Sequence, residues 1–374
     1  MDRKKVFVAL CLLAAVLMST SCISAVAKKI NVDPKQQLPD PDGKPADMTK
    51  PVQVYILLGQ SNMVGAGKIG PEEKDGSLEH ASKKKGLYPY LIDDEGKWTV
   101  RNDVRYARVM GSGTGKVRHF NNEFMTVKGG RIGPELGIGH VVGHVTDAPV
   151  MILKSCIGNR SLGWDLLPPG SKQFEATDPK SGKTFVYAGY KDSPDRWEKG
   201  TEPKKIGWYA GMQYDGDVAN AKKVLAELDK YYPGAKKYEV AGFFFWQGDK
   251  DRYNAVHASH YEQNLVHLIK QLRKDFNAPK AKFVCATLGQ TKKDAEGNEG
   301  MILNAQMAVD GKSGKYPEFK GNVATVYTNP ISKGGSSNGH YGGNAETYME
   351  VGQVMGWAMA DLLLNQKDAA KSRK

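Results

Sequence analysis

The sequence predicts a three-layer α/β/α protein of the flavodoxin-like type, built on a mostly parallel five-stranded sheet. Three observations predict it. Five short apolar runs rich in β-formers recur along the chain: Val54–Leu58, Val150–Leu153, Val240–Trp246, Phe283–Leu288 and Val323–Tyr327. Segments with helical spacing lie between and after them, and such alternation gives a parallel sheet wrapped on both faces. No internal repeat or compositional break interrupts Lys50 to Leu364, so a single domain is expected over 51–365.

The chain has 374 residues, 40% hydrophobic and 25% charged, which is ordinary globular composition. Residues 1–27 read as a signal peptide. Arg3-Lys4-Lys5 is a positive start, Val6–Met18 an apolar run and Ala25-Val26-Ala27 a small-x-small cleavage site. The apolar run is too short to span a bilayer well. A secreted or periplasmic protein starting near Lys28 is expected, with no transmembrane span after signal removal. Cys22 invites a lipoprotein reading, which Ser19 disfavours by standing where an aliphatic residue belongs. Residues 28–50 are rich in Pro, Asp and Lys and read as a linker, and 366–374 as a charged tail.

The formal charge of +12 becomes +10 without the signal segment, with 50 basic against 40 acidic residues. The excess is dispersed lysine, as in Lys83-Lys84-Lys85 and Lys236-Lys237. That is a solvated surface, and it also favours an anionic polysaccharide outside the cell. Export and the absence of any nucleic-acid motif exclude nucleic acid as the expected partner. Cys156 and Cys285 end or interrupt apolar runs and read as buried small hydrophobes. With no C-x-x-C pair, no structural zinc site is expected.

The first strand stops at Gly59-Gln60-Ser61-Asn62-Met63. A small polar residue just past a buried strand is where an α/β protein places chemistry. Ser61 is a candidate nucleophile, and equally a helix cap. Residues 66–130 form a long polar, Gly-rich insertion with a small hairpin expected near Lys97–Val104. Pro134 suits the first turn of a helix over Gly133–Val145. The second strand runs into Ser155-Cys156-Ile157-Gly158-Asn159. A second insertion over 159–208 carries Trp164, Phe174, Phe185, Tyr187, Tyr190 and Trp197, which suit either sugar stacking or a small loop core. Helical spacing marks Tyr214–Tyr232, Tyr261–Phe276, Ile302–Val309 and Thr347–Leu364. The third strand ends in Gln247-Gly248-Asp249, and the loop after the fifth holds His340.

In a parallel sheet the strand ends share one rim, so Ser61, Gly158, Gln247 and His340 should converge there. A serine hydroxyl needs a base, and histidine suits neutral pH. The N–H groups of Ser61 and Gly158 and the Gln247 amide would serve as oxyanion donors, with Asn159 as an alternative amide. Of eight histidines, His340 alone follows a C-terminal strand and leads into a helix. His140 and His144, and His257, His260 and His267, sit at helical positions without an acid or thiol set to complete a metal site.

Gly59-Gln60-Ser61-Asn62-Met63 resembles the first signature block of the SGNH/GDSL-type hydrolases, in the form found in their carbohydrate-esterase branch. That branch includes acetylxylan esterases and sialate O-acetylesterase-like proteins. Trp246-Gln247-Gly248-Asp249 resembles its W-Q-G-E segment, and Gly133-Pro134-Glu135-Leu136 and Ile157-Gly158-x-x-Ser161-Leu162 match further segments in the right order. The resemblance implies an SGNH hydrolase fold and removal of O-acetyl groups from a carbohydrate through an acyl-enzyme, with no cofactor and no metal. It implies Ser61 as nucleophile, Gly158 and Gln247 in the oxyanion hole and His340 as base. Two departures stand out. Ser337 occupies the place, three residues before the histidine, where many relatives carry aspartate, and the branch's glutamate is Asp249. Asp249 is then the acid that orients His340, with Asp251 as fallback. The alternative is a catalytically weak or inactive carbohydrate-binding relative of the same fold.

Overall fold

The computed structural model describes residues 43–110, 118–179 and 181–364, together with Leu38 and Pro41. The expected signal peptide, most of the expected linker and the expected tail lie outside the described residues.

The first strand, β1 (Val52–Gly59), leads directly into α1, a single helical turn (Ser61–Val64), and a short strand β2 (Gly67–Lys68). β3 (Arg101–Met110) and β4 (Arg118–Met125) follow, then β5 (Arg131–Ile132), α2 (Glu135–His144) and β6 (Val150–Ser155). The second insertion holds β7 (Phe174–Thr177), β8 (Thr184–Tyr187) and β9 (Arg196–Glu198). After it come α3 (Met212–Ala226), α4 (Leu228–Tyr231), β10 (Tyr238–Trp246) and α5 (Ala255–Asp275). The chain continues with β11 (Lys282–Ala286), α6 (Gly297–Ala308), β12 (Val323–Val326) and α7 (Ala345–Leu364).

The main sheet has seven strands in the order β12-β11-β10-β1-β6-β3-β4. The five expected strands form its contiguous parallel part. The sheet thus has two strands more than the five expected. Instead of a small hairpin near Lys97–Val104, the first insertion adds β3 parallel to β6 and β4 antiparallel to β3. Charge hid this strand. Arg105 is buried with its guanidinium on the carbonyls of Tyr231 (2.8 Å) and Asn122 (2.7 Å) and 4.8 Å over the Phe124 ring, so a polar residue fills a core position with its donors satisfied.

Alternation along the strands sorts their side chains to two faces. Val54, Ile56, Met151, Leu153, Phe243, Phe245 and Phe283 pack with α3, α5 and α6. Tyr55, Leu57, Ile152 and Phe244 are buried on the other face, where α2 lies on β3 and β6 and α7 on β11 and β12. α2 and α7 approach so closely that a Cβ on Gly137 would lie 2.7 Å from the Met349 carbonyl. α5 begins six residues before the expected Tyr261 because Asn254 caps it, accepting from the N–H groups of Val256 (3.0 Å) and His257 (3.2 Å). The second insertion folds as a three-stranded antiparallel sheet. Trp164 and Trp197 pack on Leu167, Ala188 and Ala210, forming the small loop core. Among the described residues, no helix is long and apolar enough to cross a membrane.

Candidate active site

The carboxyl ends of β1, β6 and β10 meet at one edge of the sheet, where two glycines permit close approach. Gly59 has φ +144°, and a Cβ there would lie 2.3 Å from the Trp246 carbonyl at the end of β10. The chain therefore turns sharply, and Ser61 opens α1 partly exposed between buried Gln60 and Asn62. Gly158, in the loop after β6, lies against it: a Cβ on Gly158 would be 3.3 Å from the Ser61 Cβ. Neither the Ser61 N–H nor the Gly158 N–H donates to another described residue.

Gln247 follows β10 and is buried. Its amide nitrogen donates to Asp251 Oδ2 (2.6 Å), the Arg160 carbonyl (2.9 Å) and Gln60 Oε1 (3.1 Å), and its oxygen accepts from the Tyr261 hydroxyl (2.8 Å). It thus ties the loops after β1, β6 and β10 together. Asp251 lies beneath this knot, fully buried, and also accepts from the N–H groups of Leu162 and Gly163, both at 2.8 Å. Burial raises its carboxyl to about 6 against these hydrogen bonds, which hold it down.

His340 lies in the turn Ser337–Gly343, and three successive residues there, His340, Tyr341 and Gly342, have φ of 52°, 53° and 62°. For the two L-residues this conformation costs roughly 1–2 kcal/mol each, and packing holds it. Tyr341 is fully buried, stacks on Trp246 at 5.7 Å and accepts the Gly289 N–H at 3.0 Å. The turn is joined to the Ser61 segment through Asn62, whose Nδ2 donates to the Ser337 carbonyl (3.3 Å). The Tyr348 hydroxyl reaches both Asn62 Oδ1 (3.2 Å) and the His340 carbonyl (3.5 Å). Among the described residues, no hydrogen bond joins the His340 ring to Ser61 or to Asp249.

Asp249 is nearly buried. Its Oδ1 accepts from the Ser337 hydroxyl (2.5 Å) and from Arg252 Nε (2.8 Å). The structure thus brings Ser61, Gly158, Gln247, Asp249 and the His340 turn to one edge, and Asn159 faces solvent beside them. Sequence reading missed Gln60, Asn62, Arg252 and Tyr348, which connect these groups. For Gln60 and Asn62 the signal was their place on either side of Ser61; Arg252 and Tyr348 left none.

A second connection braces the Ser61 turn from below. Lys154 in β6 is buried and donates to Glu135 and to the Val64 carbonyl (2.9 Å), the last residue of α1. Burial lowers its ammonium from the usual lysine range, against the pull of the Glu135 carboxylate. Beside this pair opens a cavity of about 610 Å³ bordered by Val64 and Gly65, with Tyr106, Arg108, Phe120 and Arg131 on its walls. Among the described residues, neither Arg108 nor Arg131 has a carboxylate hydrogen-bond partner, and Arg108 lies 4.9 Å over the Phe120 ring. No group of three or more His, Cys, Asp or Glu side chains among the described residues is arranged to hold a metal ion.

A serine at a parallel strand end beside unengaged backbone N–H groups is an arrangement suited to ester hydrolysis. A family model described as carbohydrate esterase, sialic acid-specific acetylesterase matches residues 193–361. That match supports an esterase. The match contains Gln247, Asp249, Ser337 and His340 and stops short of Ser61 and Gly158. No curated protein matches significantly. Similar solved structures include a protein from Arabidopsis thaliana, with 16% identity, 83% of this chain and 98% of that chain covered, and a TM-score of 0.43. A carbohydrate acetylesterase from Xanthomonas citri has 13% identity and a TM-score of 0.48, with 85% of this chain and 58% of that chain covered. NanS has 16% identity and a TM-score of 0.38, with 74% and 78% covered. All three TM-scores lie below 0.5, and no residue assignment rests on them.

Proposed function

We propose that the protein is an exported carbohydrate O-acetylesterase that works through a Ser61 acyl-enzyme. The observation that carries this reading is the contact between Ser61 and Gly158, which leaves two unengaged N–H groups beside one hydroxyl. In the proposed reaction the Ser61 Oγ attacks the acetyl carbonyl carbon while His340 takes its proton. Negative charge gathers on the carbonyl oxygen, and the Ser61 and Gly158 N–H groups bind it. Gln247 adds a third donor by exchanging its longest bond, to Gln60 at 3.1 Å, for the oxyanion. Collapse breaks the bond to the sugar oxygen, which receives the proton from His340. Water then attacks the acetyl-serine by the same route, releasing acetate. Asp249 holds the histidine ring in the required tautomer and orientation. No step calls for a metal or cofactor.

The cavity of about 610 Å³ bordered by Val64 and Gly65 is lined by none of Ser61, Gly158, Gln247, Asp249 and His340, and its walls carry Glu123 and Glu135 beside Arg108, Lys128 and Arg131, so it is not taken as the acyl-binding site. The anionic-glycan reading is supported by the excess of basic over acidic residues instead. The weak or inactive binding relative finds support in one observation, the absence of a hydrogen bond from His340 to Ser61 or Asp249 among the described residues. Such bonds often tighten only in the substrate complex.

The test is acetate release from a panel of acetylated neutral, uronic and sialylated glycans by the wild type and Ser61→Ala. The esterase reading expects release by the wild type alone. Equal release by both, or none by either on any glycan or on a chromogenic acetate, would overturn it. For the anionic glycan, kcat/KM should fall steeply with salt on charged substrates and stay level on neutral ones.

A further inference from the structure

We propose that Ser337 and Arg252 are positioning residues that clamp the Asp249 carboxylate so that its second oxygen serves His340. The proposal rests on the reading of Ser61, His340 and Asp249 given above and extends it to two residues with no role so far.

Both donors converge on one atom. The Ser337 hydroxyl and Arg252 Nε share Asp249 Oδ1, at 2.5 and 2.8 Å. Oδ2 receives no hydrogen bond from any described residue. Oδ2 is not among the fully buried unpartnered atoms and so stays open to a further donor, and the ring three residues beyond Ser337 has no hydrogen-bond partner among the described residues. The clamp is itself held. Arg252 also donates to Glu299 Oε1 (2.7 Å) and to the Tyr253 hydroxyl (2.6 Å). The Ser337 N–H donates to Gln290 Oε1 (3.2 Å), and its carbonyl accepts from Asn62, next to the nucleophile. Ser337 therefore touches both the acid and the nucleophile segment, and its side chain is fully buried.

Chemistry explains the residue type. An aspartate at 337 facing Asp249 at 2.5 Å would put two carboxylates in one buried spot, where both cannot ionise. A hydroxyl there donates instead, so the chain holds one negative charge at the site and supplies it from the end of β10. Position 337 and position 249 reach the same space, and the acid should work from either. A merely structural bond between Ser337 and Asp249 would fasten the loop to the sheet and leave the acid's location without consequence.

The experiment measures kcat and KM for a chromogenic acetate, with melting temperature, for the full chain and its variants Ser337→Ala, Ser337→Thr, Asp249→Ser and the double exchange Asp249→Ser/Ser337→Asp. Ser337→Ala should lose roughly tenfold in kcat with KM nearly unchanged, since a small misplacement of an orienting group acts on the transition state. Ser337→Thr, which keeps the hydroxyl, should stay within about twofold. Asp249→Ser should lose on the order of 10³-fold, and the exchange should regain at least about 30-fold of it. Unchanged kcat in Ser337→Ala, or an exchange no faster than Asp249→Ser, would overturn the clamp. If Ser337→Ala does not fold, the exchange decides. Ser61→Ala separates the two failures. If it is as fast as wild type, the serine mechanism itself falls. If it is inactive while Ser337→Ala is fully active, the clamp alone falls.

Discussion

The two halves of the candidate site are built differently. The Ser61 half stands on strand ends: Gly59 closes β1, Gly158 lies three residues past β6 and Gln247 follows β10 directly, and buried hydrogen bonds join the three loops. The His340 half is a turn with consecutive left-handed residues, partly exposed, held by Tyr341 below and Tyr348 to one side. The proposed oxyanion donors are thus fixed by the sheet, whereas the proposed base is placed by loop packing. Changes on the sheet side should act on chemistry with little slack, and changes on the loop side should be graded.

The largest effect should come from the acid between the halves. Asp249→Asn keeps size and part of the hydrogen bonding but removes the charge, and kcat should fall roughly 10³-fold with KM little changed. Steady-state kinetics on a chromogenic acetate check it; a loss under threefold would place the acid elsewhere, with buried Asp251 next in line. Gly158→Ala follows. Its methyl would come within 3.3 Å of the Ser61 Cβ, so kcat should drop on the order of tenfold or more while the melting temperature barely moves. A neutral result would mean that the rim has room to give.

Tyr348→Phe removes the hydroxyl that touches both halves, at Asn62 and at the His340 carbonyl. A few-fold loss in kcat and about 1 kcal/mol of stability are expected, read by kinetics and denaturant unfolding. No kinetic change would mean that the halves are coupled by another route.

The change with the least expected effect on kcat is read in stability and tests the floor of the site. Burial lowers the His257 imidazole to about 4, with its Nε2 unpartnered. Between pH 6.5 and 4 the unfolded chain then binds the extra proton, so this group's contribution to stability falls as pH falls. Asp251, raised to about 6, acts with the opposite sign over nearly the same window, because the folded state binds the proton first. In His257→Gln the first contribution disappears. The variant should gain about 2 kcal/mol relative to wild type between pH 7.5 and 5, a few degrees in melting temperature. Parallel curves for the two proteins would contradict the assignment.

Legibility followed the same division. The sheet half was readable because buried parallel strands are continuous apolar runs that stop at glycine, as Val54–Leu58 does at Gly59. The five central strands and the turn at Ser61 could be placed from that alone. β3 and β4 were not, since Arg105 and Arg108 interrupt the pattern and their neutralisation by distant carbonyls and rings is a tertiary event. In the histidine half, sequence could mark Ser337 as a departure and Asp249 as a replacement. It could not show that residues 88 apart share a hydrogen bond. The buried connections through Gln60, Asn62 and Tyr348 likewise depend on which loops the sheet brings together.

The central claim is that Ser61 is a nucleophile activated by His340. Treatment of the full chain with a fluorophosphonate, followed by peptide mass spectrometry, tests it most directly. The account predicts one adduct, on Ser61, formed rapidly by the wild type and at least about 10²-fold more slowly by His340→Ala. An unmodified Ser61, or equal labelling rates in the two proteins, would contradict it.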